Sequence, residues 1–302
     1  MRAMPGEVRV YEVSPRDGLQ NEARRVPTDV KLELIGRLAD AGLREIEATS
    51  FVSPDAVPQL SDADELMSRL DRRQGVRYPV LVPNRRGMSR AVAAGADAIA
   101  VFTAASDAFT QHNIGMTVEA SLQAFGPVVT EAAERGMWIR GYISTAFGCP
   151  YAGEIAEEAV VGVAHRLLEL GVEELSVGDT IGVAGPRDVR RVVGALLASG
   201  IDADRLAMHF HDTRGTAAAN VIAALELGVR CFDAAAGGTG GCPYAPGAAG
   251  NLATEDLVYL LEREGLSHGV DLDGLLAAAH FIASHLGRPL GSKVGLAGGW
   301  PR

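Results

Sequence analysis

The chain has 302 residues, 47% of them hydrophobic, which suffices for one barrel-sized core or for two smaller ones. A formal net charge of -10, with lysine only at Lys31 and Lys293 and no basic run, argues against a broad electrostatic grip on nucleic acid or an anionic membrane and favours a small-molecule partner. Cys149, Cys231 and Cys242 are too scattered for a disulfide framework or a CxxC zinc site. No segment reaches the ~18 apolar residues of a membrane span and the N-terminus has no apolar leader core, so reduced thiols and a cytoplasmic location are expected.

The first strand is expected at Val8 to Val13. A phrase then recurs six times: a helix-like segment, a small residue with Gly, a few residues, and a short apolar run. It places Gly42 before REIEAT, Gly95 before AIAVF, Gly136 before WIRGYI, Gly171 before ELSVGD, Gly200 before LAMHFH and Gly228 before CFDAAA. Each Gly suits the left-handed position just past a helix, and each run is strand-sized. Arg77 to Val82, after Gly75, supplies the remaining strand. Thr28, Ser61, Asn84, Thr117 and Thr254 are expected to cap helix N-termini, with Pro27 and Pro186 marking entries. Asp271 to Leu286 reads as one extra helix, and the tail GSKVGLAGGWPR as irregular. Eight strand-loop-helix units imply an α/β fold, a (β/α)8 TIM barrel with a short C-terminal helical extension. The expectation is a single catalytic domain over residues 1–302, with the barrel at about 7–265 and the helix and tail at about 266–302. An open Rossmann sheet is the rival, but no GxGxxG sits between the first strand and the first helix.

In such a barrel the loops after the strands form one face, where catalytic groups gather. Asp17 follows the first strand, Glu47 ends the second, Asp179 follows the sixth, His209 and His211 end the seventh, and Cys242 and Asn251 lie between the eighth strand and its helix. His209 and His211 are one residue apart in a strand, so both imidazoles point into the barrel mouth while Phe210 faces the helices. A strand histidine is often no more than a satisfied core residue. Two on one face, with a carboxylate from Asp17 and an amide oxygen from Asn251, suit Mg2+ or Mn2+, with Zn2+ or Co2+ as further candidates. Lysine decides a second question: Lys31 is expected on the first helix and Lys293 in the tail, so no Schiff-base lysine lies inside the barrel. Any carbanion formed there must be stabilised by metal, Arg or hydrogen bonds.

The motifs SPRDGLQNE at 14–22, IEATSFVSP at 46–54, GDTIG at 178–182, HFHDT at 209–213 and GGTGGCPYAPGAAGNLATEDLVY at 237–259 resemble, in order, those of the 3-hydroxy-3-methylglutaryl-CoA lyase family. The family is part of a superfamily of metal-dependent lyases and condensing enzymes built on TIM barrels, and the likeness runs from about Val8 to Lys293. The resemblance implies cleavage of 3-hydroxy-3-methylglutaryl-CoA, or a related 3-hydroxyacyl-CoA, to acetyl-CoA and a 3-oxo acid, acetoacetate for the usual substrate. It implies an acyl-CoA thioester as partner and a homo-oligomer, a dimer. It gives the metal to Asp17, His209, His211 and Asn251. The hydroxyl proton goes to Asp17, Asp179 or His209. Arg16 faces the thioester carbonyl, with Glu47 orienting it, and Cys242 protonates the enolate from a glycine-rich lid. Gln20, Asp179 and Thr180 contact substrate, and Glu255 supports the site from behind. Lys293 is a candidate for a CoA phosphate.

Duller readings stand beside these. Cys242 is then an idle loop thiol, Gln20 an ordinary loop amide, Asp179 a residue shaping the GDTIG turn, and Glu255 an acid favoured by the helix dipole. The chain also departs from the family, which usually has lysine and tryptophan where this chain has Asp55 and Ala56, methionine where it has Leu60, and a basic residue at Ala23, for which Arg24 can stand in. A pocket enlarged at Ala56 would accept a longer branched 3-hydroxyacyl-CoA. A condensing synthase of the isopropylmalate type shares the RDG and HxH motifs but usually extends into a regulatory domain. A catalytically silent barrel is the third reading, and the intact ligand set with Arg16 and Cys242 counts against it.

Overall fold

The computed structural model describes residues 6–240, 250–289 and 291–299. Its strands are β1 (Arg9–Glu12), β2 (Glu45–Ile46), β3 (Thr49–Ser50), β4 (Val80–Leu81), β5 (Ala98–Ala104), β6 (Trp138–Ser144), β7 (Glu174–Asp179), β8 (Leu206–Phe210) and β9 (Cys231–Ala234). They pair in parallel in the order β2-β1-β9-β8-β7-β6-β5-β4-β3. β2 and β3 are two halves of the expected second strand, so the ends of the sheet meet in one stretch of chain. Between them the Glu47 N–H donates to Glu12 O at 2.8 Å on one side and the Ala48 N–H to Pro79 O at 2.9 Å on the other. The ring is therefore closed, as the (β/α)8 expectation requires.

Helices α1 (Thr28–Asp40), α2 (Ala63–Arg69), α3 (Arg85–Ala93), α4 (Asp107–Ile114), α5 (Val118–Glu134), α6 (Glu157–Leu170), α7 (Pro186–Ala198), α8 (Ala217–Glu226) and α9 (Thr254–Arg263) alternate with the strands, α4 being an extra helix between β5 and α5. α10 (Leu272–Leu286) and α11 (Lys293–Ala297) follow. The apolar stripes expected from 3.6-residue periodicity, such as Val189, Val192, Val193 and Leu196 of α7, are buried against the outer face of the sheet. Phe210 is buried on that side too, 6.1 Å from Phe147 between ring centroids. The glycines that punctuate the sequence, Gly42, Gly75, Gly95, Gly136, Gly171, Gly200 and Gly228, have φ between 69° and 109°.

Several local expectations change. Asn84 and Thr117 do cap α3 and α5, accepting from the N–H groups of Gly87 and Ala120. Thr28 and Thr254 instead sit inside their helices, because their hydroxyls are drawn away to Asp62 (2.8 Å) and Glu12 (2.7 Å). Asp62 rather than Ser61 precedes α2. The tail is not irregular throughout: Ser292 caps α11 by accepting from Gly295 N at 2.7 Å, and Asp256 accepts from the N–H groups of Lys293 and Val294. Among the described residues no helix is long and apolar enough to cross a membrane.

The barrel axis is unusually polar. Branched apolar layers commonly fill such barrels, yet here Arg140, Glu174, Ser176, Asp233, Tyr11 and Tyr142 are buried inside. Ion pairs link Arg9 to Glu45 and Glu174, Arg77 to Glu45, and Arg140 to Glu174 and Asp233.

Two glycines separate backbone strain from steric conflict. A Cβ on Gly95 would meet nothing nearer than 3.8 Å, whereas one on Gly42 would lie 2.3 Å from Gly269 O. Gly95→Ala should cost about 1 kcal/mol, the strain of a positive φ alone. Gly42→Ala should cost about 3 kcal/mol or more. Denaturant midpoints check this, and equal losses would contradict it.

Candidate active site and metal cluster

β1 ends in a wide turn, Ser14–Gly18, in which Val13 O accepts from the N–H groups of Arg16 (3.2 Å), Asp17 (2.8 Å) and Gly18 (3.1 Å). Wide helical turns of this kind are rare and concentrate at functional sites. This one delivers Arg16 and Asp17 to a cavity of about 500 Å3 at the barrel mouth, which Gln20, Thr180, His209 and His211 also line. A cavity of about 330 Å3 at the opposite, N-terminal end is lined by Arg9, Glu45, Arg77 and His268 and holds none of these groups.

The period of two along β8 carries both imidazoles to the same side, their ring centroids 5.2 Å apart. One ligand-capable atom from each of Asp17, His209 and His211 lies within 4.8 Å of the others. Asn251 pairs with His211 through a backbone bridge. Its Nδ2 donates to Asp17 Oδ2 at 2.8 Å and to Thr239 O at 3.2 Å, which fixes the amide and leaves Oδ1 as its free acceptor. Asn251 Oδ1 and His211 Nδ1 are both buried without a hydrogen-bond partner. Buried polar atoms are rarely left so, and two of them beside a carboxylate fit a cation. Close packing also bears on the loop: a Cβ on Gly240, at φ 87°, would lie 2.8 Å from Asn251 Nδ2.

The electrostatics agree. Burial pushes the Asp17 carboxyl up, but Arg16, His209 and the Asn251 amide outweigh it and hold it at about 2. Burial and the neighbouring His209 push the His211 imidazole down to about 3, so at neutral pH it keeps the lone pair a ligand needs. Burial lowers His209 as well, yet Asp233 and Asp17 more than offset it and the net shift is upward.

Arg16 is held from two sides. Its Nε and Nη2 contact Glu47 Oε2 at 2.7 and 2.6 Å, and its Nη1 donates to Asp17 Oδ1 at 2.5 Å. The Tyr142 hydroxyl donates to the same Glu47 oxygen at 3.0 Å, and the Arg16 guanidinium lies 5.3 Å from the Tyr142 ring centroid. Thr180 Oγ1 accepts from Thr145 N at 2.9 Å. Glu255 is fully buried and accepts from Gly237 N with both oxygens, at 3.1 and 3.0 Å.

Other expected residues fall elsewhere. Asp179 is fully buried off the cavity, its two oxygens accepting from Val183 N and Ala184 N at 3.0 Å each, so the turn-shaping reading of GDTIG is the one the geometry favours. Lys293 donates to Asp212 and lies 3.9 Å from Asp256, a doubly acidic setting that opposes a phosphate there. Lys31 is buried on α1, donating to Gln59 O and Asp62, outside the barrel. Cys242 lies outside the described residues. Ala56 lines the cavity, whereas Leu60 is buried in the core.

Three supporting residues escaped sequence reasoning. Asp233 contacts His209 Nδ1 at 3.3 Å, Arg140 Nη2 at 2.5 Å and Ser176 Oγ at 2.8 Å. Burial pushes its carboxyl up, but Arg140, His209 and Ser176 outweigh it and hold it below the usual range. Tyr142 braces Glu47, and Glu12 ties together three loops behind the site. Period-two placement on the inner face was the available signal, but each residue sits in a run that reads as ordinary strand.

A closed barrel whose C-terminal rim gathers a carboxylate, two imidazoles and an unpaired amide oxygen beside a cavity defines a barrel enzyme with a place for a cation. The chain belongs to the HMGL-like family, whose model matches residues 7–282. The mitochondrial hydroxymethylglutaryl-CoA lyase of Arabidopsis thaliana is 48% identical over 296 residues, 98% of this chain and 63% of that longer protein. That of Pseudomonas mevalonii is 49% identical over 290 residues, 96% of each. The structure of an HMG-CoA lyase from Acinetobacter baumannii in complex with coenzyme A and 3-methylmalate matches with a TM-score of 0.93 at 41% identity, covering 99% of this chain and 97% of that one.

Glu255 gives a pH test of the site's rear wall. Burial raises its carboxyl from 4.5 to about 7, against hydrogen bonds from its own N–H, Gly237 and Ser292. A carboxyl that is harder to ionise when folded removes stability as pH rises from its unfolded to its folded value. Glu255→Gln escapes that loss, so its stability relative to wild type should rise by about 3 kcal/mol between pH 4.5 and 7. Unfolding midpoints across that range measure it, and a flat difference would contradict the assignment.

Proposed function

We propose that the chain is a divalent-metal-dependent carbon-carbon lyase cleaving 3-hydroxy-3-methylglutaryl-CoA, or a related 3-hydroxyacyl-CoA, to acetyl-CoA and a 3-oxo acid, acetoacetate for the methylglutaryl thioester. The observation that carries it is the joining of Arg16 to the Asp17, His209 and His211 cluster by a direct Arg16–Asp17 ion pair. The near-complete alignment with hydroxymethylglutaryl-CoA lyases supports the same reading.

Asp17, His209, His211 and Asn251 Oδ1 would hold the ion, and the two oxygens among them favour Mg2+ or Mn2+ over Zn2+ or Co2+. When bound it would polarise the substrate's hydroxyl and make it more acidic. Cleavage breaks the bond between C2 and C3. The hydroxyl proton leaves, C3 becomes a ketone, and the electron pair moves to C2 as a thioester enolate. The proton passes to one of the two groups at the cavity, Asp17 or His209, because Asp179 is committed to its own turn. Arg16 stabilises the enolate oxygen, and Glu47 with Tyr142 keeps its guanidinium in place. Cys242 then gives its proton to the enolate carbon, completing acetyl-CoA. Gln20 and Thr180 line the substrate's side of the cavity. Among the described residues Cys149 and Cys231 are free and buried.

The acyl group need not be small. Ala56 shares the cavity with Leu81, Phe102, Phe109, Met116 and Phe125, an apolar wall suited to a longer alkyl group at C3.

Acetyl-CoA release should be measured for the methylglutaryl thioester and for analogues with longer C3 alkyl groups. Turnover of none of them would overturn the lyase reading. Cys242→Ser should lower kcat by about 100-fold, the scale of a lost general acid, and unchanged cleavage would remove its role. Ala56→Trp should reduce the ratio of kcat/KM for longer-chain over methyl substrate by more than about tenfold. An unchanged ratio would contradict the larger acyl pocket.

A further inference from the structure

The charged groups on the barrel axis form an alternating series. Glu45 pairs with Arg9, Arg9 with Glu174, Glu174 with Arg140, and Arg140 with Asp233, which contacts His209 at the cavity. Arg140 and Asp233 are 0% and 1% exposed. Burying an ion pair brings little net stability, and well-packed apolar side chains of similar volume serve a core as well or better. Arg140 is not fully satisfied either: its Nη1 has no hydrogen-bond partner, and its Nε is 3.3 Å from Glu174 without forming a hydrogen bond. Stability alone therefore gives no reason for this pair in the middle of the barrel.

The arrangement around Asp233 does. Its Oδ1 takes Arg140 Nη2, and its Oδ2 takes Ser176 Oγ and His209 Nδ1. An ionised carboxylate only accepts, so the hydrogen between Asp233 and His209 must sit on Nδ1. A neutral imidazole protonated there has its lone pair on Nε2. Ser176 of β7, which itself lines the cavity, and Arg140 of β6 prevent the carboxylate from rotating away. The second imidazole differs: no carboxylate meets His211 Nδ1, which is buried without a hydrogen-bond partner. The two histidines of the cluster are thus unequal: one is locked in tautomer and the other is not.

We infer that Asp233, anchored by Arg140 and Ser176, is a positioning residue that sets the tautomer and ring orientation of His209 so that Nε2 faces the metal cluster. This rests on the reading of His209 as a ligand. Groups that orient a ligating histidine in this way change metal affinity by about 10- to 100-fold when removed. Asp233→Asn keeps the volume but offers both a donor and an acceptor, so it no longer dictates which ring nitrogen is protonated. Glu174→Gln disturbs the same buried arginine without touching His209.

The test combines Mn2+ binding isotherms with ring-nitrogen chemical shifts of His209 in the metal-free protein. At a pH where the imidazole is neutral, wild type should show Nδ1 protonated and Nε2 bare. Asp233→Asn should show mixed tautomers with the Mn2+ dissociation constant raised about 10- to 100-fold, while Glu174→Gln leaves it within about threefold. Wild-type affinity in Asp233→Asn would overturn the inference, as would an equal loss in Glu174→Gln, which would mark a general effect on the core. Should Asp233→Asn not fold, a neutral wild-type His209 protonated on Nε2 instead of Nδ1 overturns it without any variant. His209→Ala isolates the underlying reading: unchanged Mn2+ binding there removes His209 as a ligand and the inference with it, whereas loss there with none in Asp233→Asn defeats the inference alone.

Discussion

Glu12 is the clamp on which the site depends. Its buried carboxylate accepts from Ser14 N at 2.8 Å, Ala236 N at 3.0 Å and Thr254 Oγ1 at 2.7 Å. These belong to the turn leaving β1, the turn leaving β9 and the start of α9, the three segments that meet where the first strand pairs with the last. Burial pushes the carboxyl up and the hydrogen bonds only partly oppose it. Satisfying such a group requires all three segments in place. Asp17 and Asn251 then meet as a consequence, since one follows the first segment and the other precedes the third.

From that seam inward the barrel trades apolar filling for order. Glu47 and Tyr142 fix Arg16, and Arg140 and Ser176 fix Asp233 against His209. Arg16 and His209 are thus each held by a buried carboxylate, the kind of preorganisation that electrostatic catalysis needs. The outer layer between sheet and helices carries the hydrophobic core, leaving the axis free for polar contacts.

What the sequence made legible follows from local geometry. The glycine phrases exposed the repeating units because a helix ending before a strand needs a left-handed residue. His209 and His211 declared themselves through strand alternation, and Asp17 through its position after the first strand. The break of the second strand at Glu47 and Ala48 was invisible, because it depends on hydrogen bonds to Glu12 and Pro79 from opposite sides. Asp233, Tyr142 and Glu12 were hidden for the same reason: their partners are distant in sequence, and an acid or phenol inside an apolar run carries no local mark. Asp179 illustrates the reverse error, a conspicuous carboxylate in the right loop whose oxygens serve the backbone of its own turn.

The central claim is that the carboxylate, two imidazoles and amide at the barrel mouth hold a metal that bond cleavage requires. The most direct measurement is acetyl-CoA release from 3-hydroxy-3-methylglutaryl-CoA by chelator-stripped protein as free Mg2+ or Mn2+ is restored. Release should be absent without metal and recover saturably, with Asn251→Ala needing more metal than wild type. Full release by the stripped protein would contradict the account.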